Sequence, residues 1–340
     1  MKLNKAKENP ILKPNPKNDW ESLVVCNPGA WYEDGVFYLL YRAAGNDEEH
    51  KIYLGLATST DGINFTRHSD QPVLSPDENS FDSGCVEDPR IVKFGSLFYV
   101  TYAYRAFPPG RYWLKQGFEH GWPREDLPQG IDYNKTNTGI AISKDLKTYK
   151  KLGRITAHNL DNRDVIIFPE KINGKYVMLH RPKEWVGEKY GVDVPSIWLA
   201  FSDDLMSWKD DVLLAKPEFP WEMKKIGGST PPLRTKDGWL VLYHGVSKED
   251  DQYRVGALLL DINDPTKIIG RLKDYIMEPE HPYETEGYYT GCVFPTGNVI
   301  VEDTLYVYYG GADRYVAVAT CKLDDLLDQF KKWGKKWKNY

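Results

Sequence analysis

The chain has 340 residues and a formal net charge of -5, a balance that argues against nucleic acid or an anionic membrane surface as its partner. Aromatic residues make up 14% of it, and 28 Gly with 22 Pro supply the turns that many short strands consume, so the composition points to an all-β architecture. Cys26, Cys85, Cys292 and Cys321 are far apart and form no Cys-x-x-Cys pair, and the His residues form no His-x-x-x-His, so neither a disulfide framework nor a zinc site is indicated.

At the N-terminus Lys, Asn and Pro alternate without an apolar core, and no later apolar run approaches the roughly 18 residues of a membrane span. A cytoplasmic protein is expected. A turn followed by a short aromatic strand then returns five times, with the strands starting at Phe37, Phe98, Tyr176, Trp239 and Leu305. Three of these units continue into near-identical endings that open at Ser59-Thr60-Asp61, Ser143-Lys144-Asp145 and Ser202-Asp203-Asp204 and close on Phe65, Tyr149 and Trp208. Self-similarity at intervals of about 60 to 80 residues marks supersecondary units that bury their faces only by stacking. The expected fold is a five-bladed β-propeller forming one domain over 1–340, with blades near 24–74, 86–152, 165–214, 228–277 and 291–321. In blade one the clearest strands are 37–42 and 52–58. Blade two is interrupted by an insertion at 105–136 that carries Tyr112, Trp113, Phe118 and Trp122, far longer than a hairpin turn and aromatic enough to be a binding or interface element. After blade five, Leu323, Leu326, Leu327, Phe330 and Trp337 follow helical spacing, so an amphipathic helix over 323–337 is expected to pack on the flank or a neighbouring subunit.

In a propeller the first strand of each blade lines a central channel, so polar residues there converge. Blade two opens on Gly84-Cys85-Val86-Glu87-Asp88-Pro89-Arg90, where strand alternation is expected to send Glu87 and Asp88 to opposite sides. Only one of them then faces a substrate; the plainer alternative is an Asp88–Arg90 pair at a strand start. Blades three and four supply Arg163, Arg181, Lys225 and His244, a compact cationic pocket suited to a phosphate dianion, although each Arg also has a local carboxylate to pair with. Blades one and five add Asn27, Arg42 and Asp313, suited to sugar hydroxyls, with turn and core roles the alternative for Asn27.

Read together, Asn27-Pro28-Gly29-Ala30, Glu87-Asp88-Pro89-Arg90, Phe168-Pro169-Glu170-Lys171, His180-Arg181-Pro182, Lys225-Ile226-Gly227, Tyr243-His244-Gly245 and Gly310-Gly311-Ala312-Asp313 resemble, in this order, glycoside hydrolase family 130. That family comprises five-bladed propellers acting as β-mannoside phosphorylases and related β-mannosidases. The resemblance implies that Asp88 is the catalytic acid, that Arg163, Arg181 and Lys225 bind phosphate with His244 beside them, and that Asn27, Arg42 and Asp313 hold the mannosyl unit. An inverting hydrolase needs a second carboxylate about 6.5 to 9.5 Å from the acid, whereas a phosphorylase needs cations to hold phosphate. The basic set is retained here, and the implied activity is inverting phosphorolysis of a non-reducing β-mannosyl residue of a mannosyl-glucose or manno-oligosaccharide, giving α-mannose 1-phosphate and a shortened acceptor. The partners are then the oligosaccharide and inorganic phosphate, which is a co-substrate, with no metal or organic cofactor. The insertion and the terminal helix are candidate interface elements of a homo-oligomer. Two other readings stand beside this one: a β-mannosidase using Asp88 with Glu170 or Glu87, and a non-catalytic glycan-binding propeller.

Overall fold

In a computed structural model, which describes residues 1–111, 127, 129 and 133–333, nearly all regular structure is β, as the composition led one to expect. Four hydrogen-bonded sheets carry the described residues. The largest divides at a single parallel bridge, Ile52 with Cys85, into two antiparallel meanders. The first of these runs Val24–Glu33, Val36–Ala44, Ile52–Ser59 and Thr66–Arg67, and the second Cys85–Phe94, Leu97–Arg105, Asn137–Ser143 and Lys150–Arg154. Asn162–Ile167, Tyr176–Pro182, Ile197–Ser202 and Trp208–Ala215 form the next sheet. Lys225–Gly228, Gly238–Val246, Tyr253–Leu260 and Ile268–Arg271 follow, with Leu233–Thr235 also paired to Gly238–Val246. The last sheet joins Val293–Val301, Thr304–Gly311 and Tyr315–Lys322 to Asn4–Lys5, so its outer strand comes from the opposite end of the chain.

The local chemistry repeats with the topology. First and second strands meet in tight hairpins: Asp34-Gly35 takes φ of 52° and 78°, and Asn173-Gly174 51° and 80°, the pair of left-handed residues that matches strand twist. The repeated Ser and Asp are the turn after the third strand. Ser59 Oγ accepts the Gly62 N–H at 3.0 Å while Asp61 Oδ1 accepts those of Ile63 and Asn64 at 2.9 and 2.8 Å. Ser143 with Asp145, and Ser202 with Asp204, make the same bonds, each with a Leu at the left-handed position that Gly62 occupies.

A second repeat was not evident from the sequence. A buried Tyr of the second strand donates to a carboxylate, which is also held by a cation from elsewhere in the unit: Tyr41 to Glu21 (2.9 Å) with Arg67, and Tyr102 to Asp82 (3.1 Å) with Lys151. Tyr243 with Glu222 (2.8 Å) and Arg271, and Tyr309 with Glu284 (2.7 Å) and Lys5, complete the set. In the remaining meander His180 stands in this place, with Asn162 and Asp211 around it. The third strand makes room for the rings: a Cβ on Gly139 would stand 2.6 Å from Tyr102 Cζ. These are buried, charge-assisted bonds, so Tyr102→Phe and Tyr243→Phe should each lose about 1.5 to 3 kcal/mol in urea denaturation. Shifts inside about 0.5 kcal/mol, the scatter of neutral surface changes, would show that the triads add nothing.

The C-terminal helix spans Leu323–Trp333 and buries Leu326, Leu327 and Phe330 against Leu259, Leu272 and Leu305, the flank packing expected of it. Residues 334–337, with Trp337, and the insertion's Tyr112, Trp113, Phe118 and Trp122 lie outside the described residues.

Side-chain bonds tie the meanders to one another close to their first strands. Thr296 Oγ1 donates to Pro28 O (3.0 Å), Asn298 Nδ2 to Thr230 Oγ1 (2.6 Å), Thr101 Oγ1 to Val165 O (2.9 Å) and Arg90 Nε to Ser229 O (3.1 Å). Register shifts interrupt these strands between Cys26 and Gly29, Glu87 and Arg90, and Arg163 and Ile166. Each bulge holds one left-handed residue: Asn27 (φ 46°), Asp88 (52°) and Asp164 (54°). A bulge re-aims a side chain that ladder pairing would direct into the sheet.

Candidate active site

Asp88 sits at the tip of its bulge with a side chain 19% exposed, the more open of the two adjacent carboxylates. Asn27 Nδ2 donates to its Oδ1 at 2.8 Å and Arg42 Nη1 reaches the same oxygen at 3.3 Å. Arg90 does not pair with this carboxylate. Its Nη1 donates to the Asp88 main-chain carbonyl at 2.7 Å, which pins the bulge and leaves the acid to the site, so the plain Asp88–Arg90 ion pair is not what forms.

Glu87 and Asp88 are not sent to opposite sides as strand alternation suggested. The left-handed turn at Asp88 breaks the alternation, and both carboxylates meet Arg42 Nη1, Glu87 Oε2 at 3.1 Å and Asp88 Oδ1 at 3.3 Å. Glu87 is buried, with Arg105 on its other oxygen. Burial pushes it up, but Arg105 and Arg42 more than offset that and hold it below the ordinary carboxylate range. Glu170, the other candidate second acid, lies beyond the far end of the Asn162–Ile167 strand, where it pairs with the exposed Arg234. Asp313, left-handed like Asp88, is pushed up by burial; Arg42 opposes the shift and the negative charges of Asp88 and Glu87 add to it.

The four basic candidates come from neighbouring strands. Arg163 and Arg181 are cross-strand partners, and Gly227 pairs with His244 two residues after Lys225. Gly227 permits the closure: a Cβ there would stand 2.5 Å from His244 Cε1 and 2.7 Å from Arg181 Nε. Each Arg has the local carboxylate that the sequence offered it. Asp161 holds Arg163 by two bonds, Nε–Oδ1 2.6 Å and Nη2–Oδ2 2.9 Å, and Asp164 Oδ2 holds Arg181 Nε at 2.5 Å. Burial raises Asp161, but Arg163 outweighs it and brings the carboxyl to about 2. Lys225 has a phenol instead, its Nζ donating to Tyr253 Oη at 2.6 Å. Burial, then Arg181 and Arg163, lower it to about 7.

His244 is not a cation here, contrary to the expected pocket of four positive groups. Burial lowers it to about 3, with Arg181 and Lys225 adding to the effect and Asp164, whose Oδ2 is 3.7 Å from Nε2, opposing it. It serves as a neutral ring stacked on Tyr253 and edge-on to Phe294. Among the described residues, buried polar atoms without a hydrogen-bond partner include Asn27 Oδ1, Arg42 Nε, Arg90 Nη2 and His244 Nε2. Such atoms are costly to leave unpaired, and their gathering at one place is the mark of a site that a polar ligand completes.

The structure thus draws the candidates into two adjoining groups. Asn27, Arg42 and Asp88 touch directly, and Asp313 belongs to them through the charges that act on it. Arg163, Arg181, Lys225 and His244 form the other group, and Arg90 links the two, its Nη2 4.0 Å from Asp164. The sequence reading gave no site role to Asp161, Asp164, Arg105 or Tyr253, and met Arg90 only as a possible ion-pair partner of Asp88. Aligning the internal repeats would have found Asp164, since Asn27, Asp88 and Asp164 occupy one bulge position.

A model of mannoside-active enzymes described as β-1,4-mannooligosaccharide phosphorylase, glycoside hydrolase family 130, matches residues 2–115 and 129–332. The chain belongs to glycoside hydrolase family 130. It is 41% identical over 332 residues to a 1,2-β-oligomannan phosphorylase of Thermoanaerobacter sp. (strain X514), covering 96% of this chain and 99% of that protein. A β-1,2-mannobiose phosphorylase of the same organism is 38% identical over 338 residues, with 96% and 99% covered. Among solved structures, the β-1,2-mannobiose phosphorylase of Listeria innocua in complex with β-1,2-mannobiose superimposes with a TM-score of 0.78 at 28% identity, covering 98% of this chain and 100% of that one. The family and the β-mannoside phosphorylase activity expected from the sequence agree with these family 130 relatives.

Proposed function

We propose that this chain is an inverting β-mannoside phosphorylase on a five-bladed propeller, and that its substrates are β-1,2-linked manno-oligosaccharides. The carrying observation is the partly open carboxylate of Asp88 in a site that also gathers Arg163, Arg181 and Lys225, with the adjacent Glu87 closed off by Arg42 and Arg105. That arrangement supplies an acid and a seat for phosphate, while the neighbouring carboxylate that could have activated water, Glu87, is taken up by two guanidinium groups. The meanders are the blades, with Asn4–Lys5 closing the ring.

Phosphate held by the cations attacks C1 of the non-reducing mannosyl unit from the face opposite the leaving oxygen, giving α-mannose 1-phosphate. Asp88 supplies the proton, through the sugar's 3-hydroxyl in the mechanism that the family resemblance implies. Asn27, Arg42 and Asp313 orient the mannosyl hydroxyls. Positioning and charge carry most of the acceleration, and the acid adds about 10² to 10⁴-fold. Inorganic phosphate is a co-substrate and no metal or organic cofactor takes part. A product that carries a phosphate charge is retained by the cell, which fits a cytoplasmic location.

The β-1,2 assignment rests on the two relatives at 41% and 38% identity, both named for that linkage, against a family model named for β-1,4. Phosphorolysis of β-1,2-mannobiose and β-1,2-mannotriose should exceed that of the β-1,4 isomers at equal concentration. The opposite order would transfer the assignment to β-1,4 substrates.

The phenol-bound Lys225 gives this reading a pH signature. Its charge is half lost near pH 7, so above that pH phosphate binding must first draw a proton onto the amine. The KM for phosphate should therefore climb above about pH 7, approaching tenfold per unit. Lys225→Arg, which keeps its charge, should flatten the climb. An unchanged slope in that variant would remove Lys225 as its cause.

A further inference from the structure

We infer that Asp161 is a positioning residue of the phosphate site, holding Arg163 in the orientation that receives the anion and tying it to the loops on either side. The inference rests on Arg163 being a phosphate ligand. Asp161 is buried, and its two bonds fix the plane of the Arg163 guanidinium and occupy its Nε and Nη2 edge, so Nη1 is the part left for phosphate. An arginine with a single contact would swing; a fork held at two points is preorganised.

Asp161 is itself held from two directions. Its N–H donates to both oxygens of Glu184, at 3.0 and 3.2 Å, and its carbonyl accepts the Lys183 N–H at 2.8 Å. Glu184 pairs with Lys135 at 3.3 Å, and Lys135 Nζ donates to Asn159 O at 2.6 Å. The Asn162 N–H reaches Thr136 O at 2.9 Å, and the Thr136 N–H approaches Asp161 Oδ2 at 3.5 Å. Lys135 and Thr136 end the long connection after Arg105, while Lys183 and Glu184 open the one after Pro182. The connection after Pro182 leaves its sheet at the end where Arg163 and Arg181 pair, and the one after Arg105 returns to its own meander beside Asn162, so loops from adjacent meanders clamp one aspartate, and that aspartate aims one arginine.

The test is a double-mutant cycle read in steady-state kinetics with phosphate and mannoside varied separately. Asp161→Asn should raise the KM for phosphate about tenfold, the loss typical when a ligand's orienting partner is removed. The KM for the mannoside should stay within about twofold of wild type, a split that general loosening of the fold would not give. In an Arg163→Ala background Asp161→Asn should change the phosphate KM no further. Glu184→Ala, which leaves the Arg163 bonds in place, should give the same selective rise on a smaller scale, and it carries the test should Asp161→Asn fail to fold. If Arg163→Ala weakens phosphate use and Asp161→Asn multiplies that loss, or raises both KM values alike, the inference is overturned and the phosphate role of Arg163 stands. If Arg163→Ala leaves phosphate KM unchanged, the role of Arg163 falls and the inference with it.

Discussion

Asp88→Asn should lower turnover by at least about 10²-fold, the range for loss of a general acid, while the protein folds and binds mannoside nearly as before. The substitution is unusually clean at this position. Asn tolerates the left-handed backbone that Asp88 adopts at φ 52°. Its side-chain oxygen can still accept from Asn27 Nδ2 and Arg42 Nη1, so the bulge, Asn27 and Arg42 keep their contacts. What is lost is the proton and one negative charge. Single-turnover rates with β-1,2-mannobiose, alongside calorimetric binding of the disaccharide, separate these effects. Wild-type turnover in a folded Asp88→Asn protein would remove Asp88 from the mechanism.

The second large effect concerns the cations. Each charge-assisted contact to phosphate is worth about 1.5 to 3 kcal/mol, so Arg163→Ala, Arg181→Ala and Lys225→Ala should each weaken phosphate use by about 10 to 150-fold. Mannoside binding without phosphate should change little. Synthesis from α-mannose 1-phosphate should weaken in parallel, because both directions share one transition state. Stability should divide the three. Arg181→Ala strands the buried Asp164 carboxylate, whose Oδ2 it holds at 2.5 Å, and breaking such a pair costs about 3 to 5 kcal/mol. Lys225 behaves in the opposite way. Its amine is lowered in the fold to about 7 from 10.5, so the native state carries a penalty that is full below about pH 7 and fades as pH rises toward the unfolded value. Lys225→Met should therefore raise the denaturation midpoint at pH 6 while it impairs phosphorolysis. A lower midpoint for Lys225→Met at pH 6 would contradict the buried, phenol-bound placement.

The recurring elements were the legible part of the sequence. Turns such as Asp34-Gly35 and the Ser-x-Asp endings are local, since the residues that make the bonds lie within a few positions of one another. The candidate site residues were legible as types and as family motifs, and so was a local carboxylate for each arginine, but partners distant in sequence were not. Tyr102 and Asp82 are 20 residues apart, and Tyr309 meets a triad completed by Lys5 from the other end of the chain, so no local pattern announces either. The bulges explain the main miscalculation. Strand alternation is a rule for regular ladders, and Asp88 stands where the ladder is interrupted, which brings Glu87 and Asp88 to the same guanidinium. His244 was read as a cation because its residue type allows it; burial beside Arg181 and Lys225 decides otherwise. The aromatic residues of the insertion, which the sequence singled out for acceptor contact, fall outside the described residues. Shortening the 108–129 stretch should alter acceptor preference or subunit assembly more than thermal stability, and an unchanged acceptor profile, oligomer size and rate would leave it without either role.

The central claim is that phosphate, and not water, is the nucleophile at Asp88. The most direct measurement is product analysis by phosphorus and proton NMR after the wild-type enzyme meets β-1,2-mannobiose with and without inorganic phosphate. The account predicts α-mannose 1-phosphate and free mannose in equal amounts when phosphate is present, and essentially no turnover when it is absent. Equally fast release of mannose in phosphate-free buffer, with no sugar phosphate formed, would contradict it and make the enzyme a β-mannosidase.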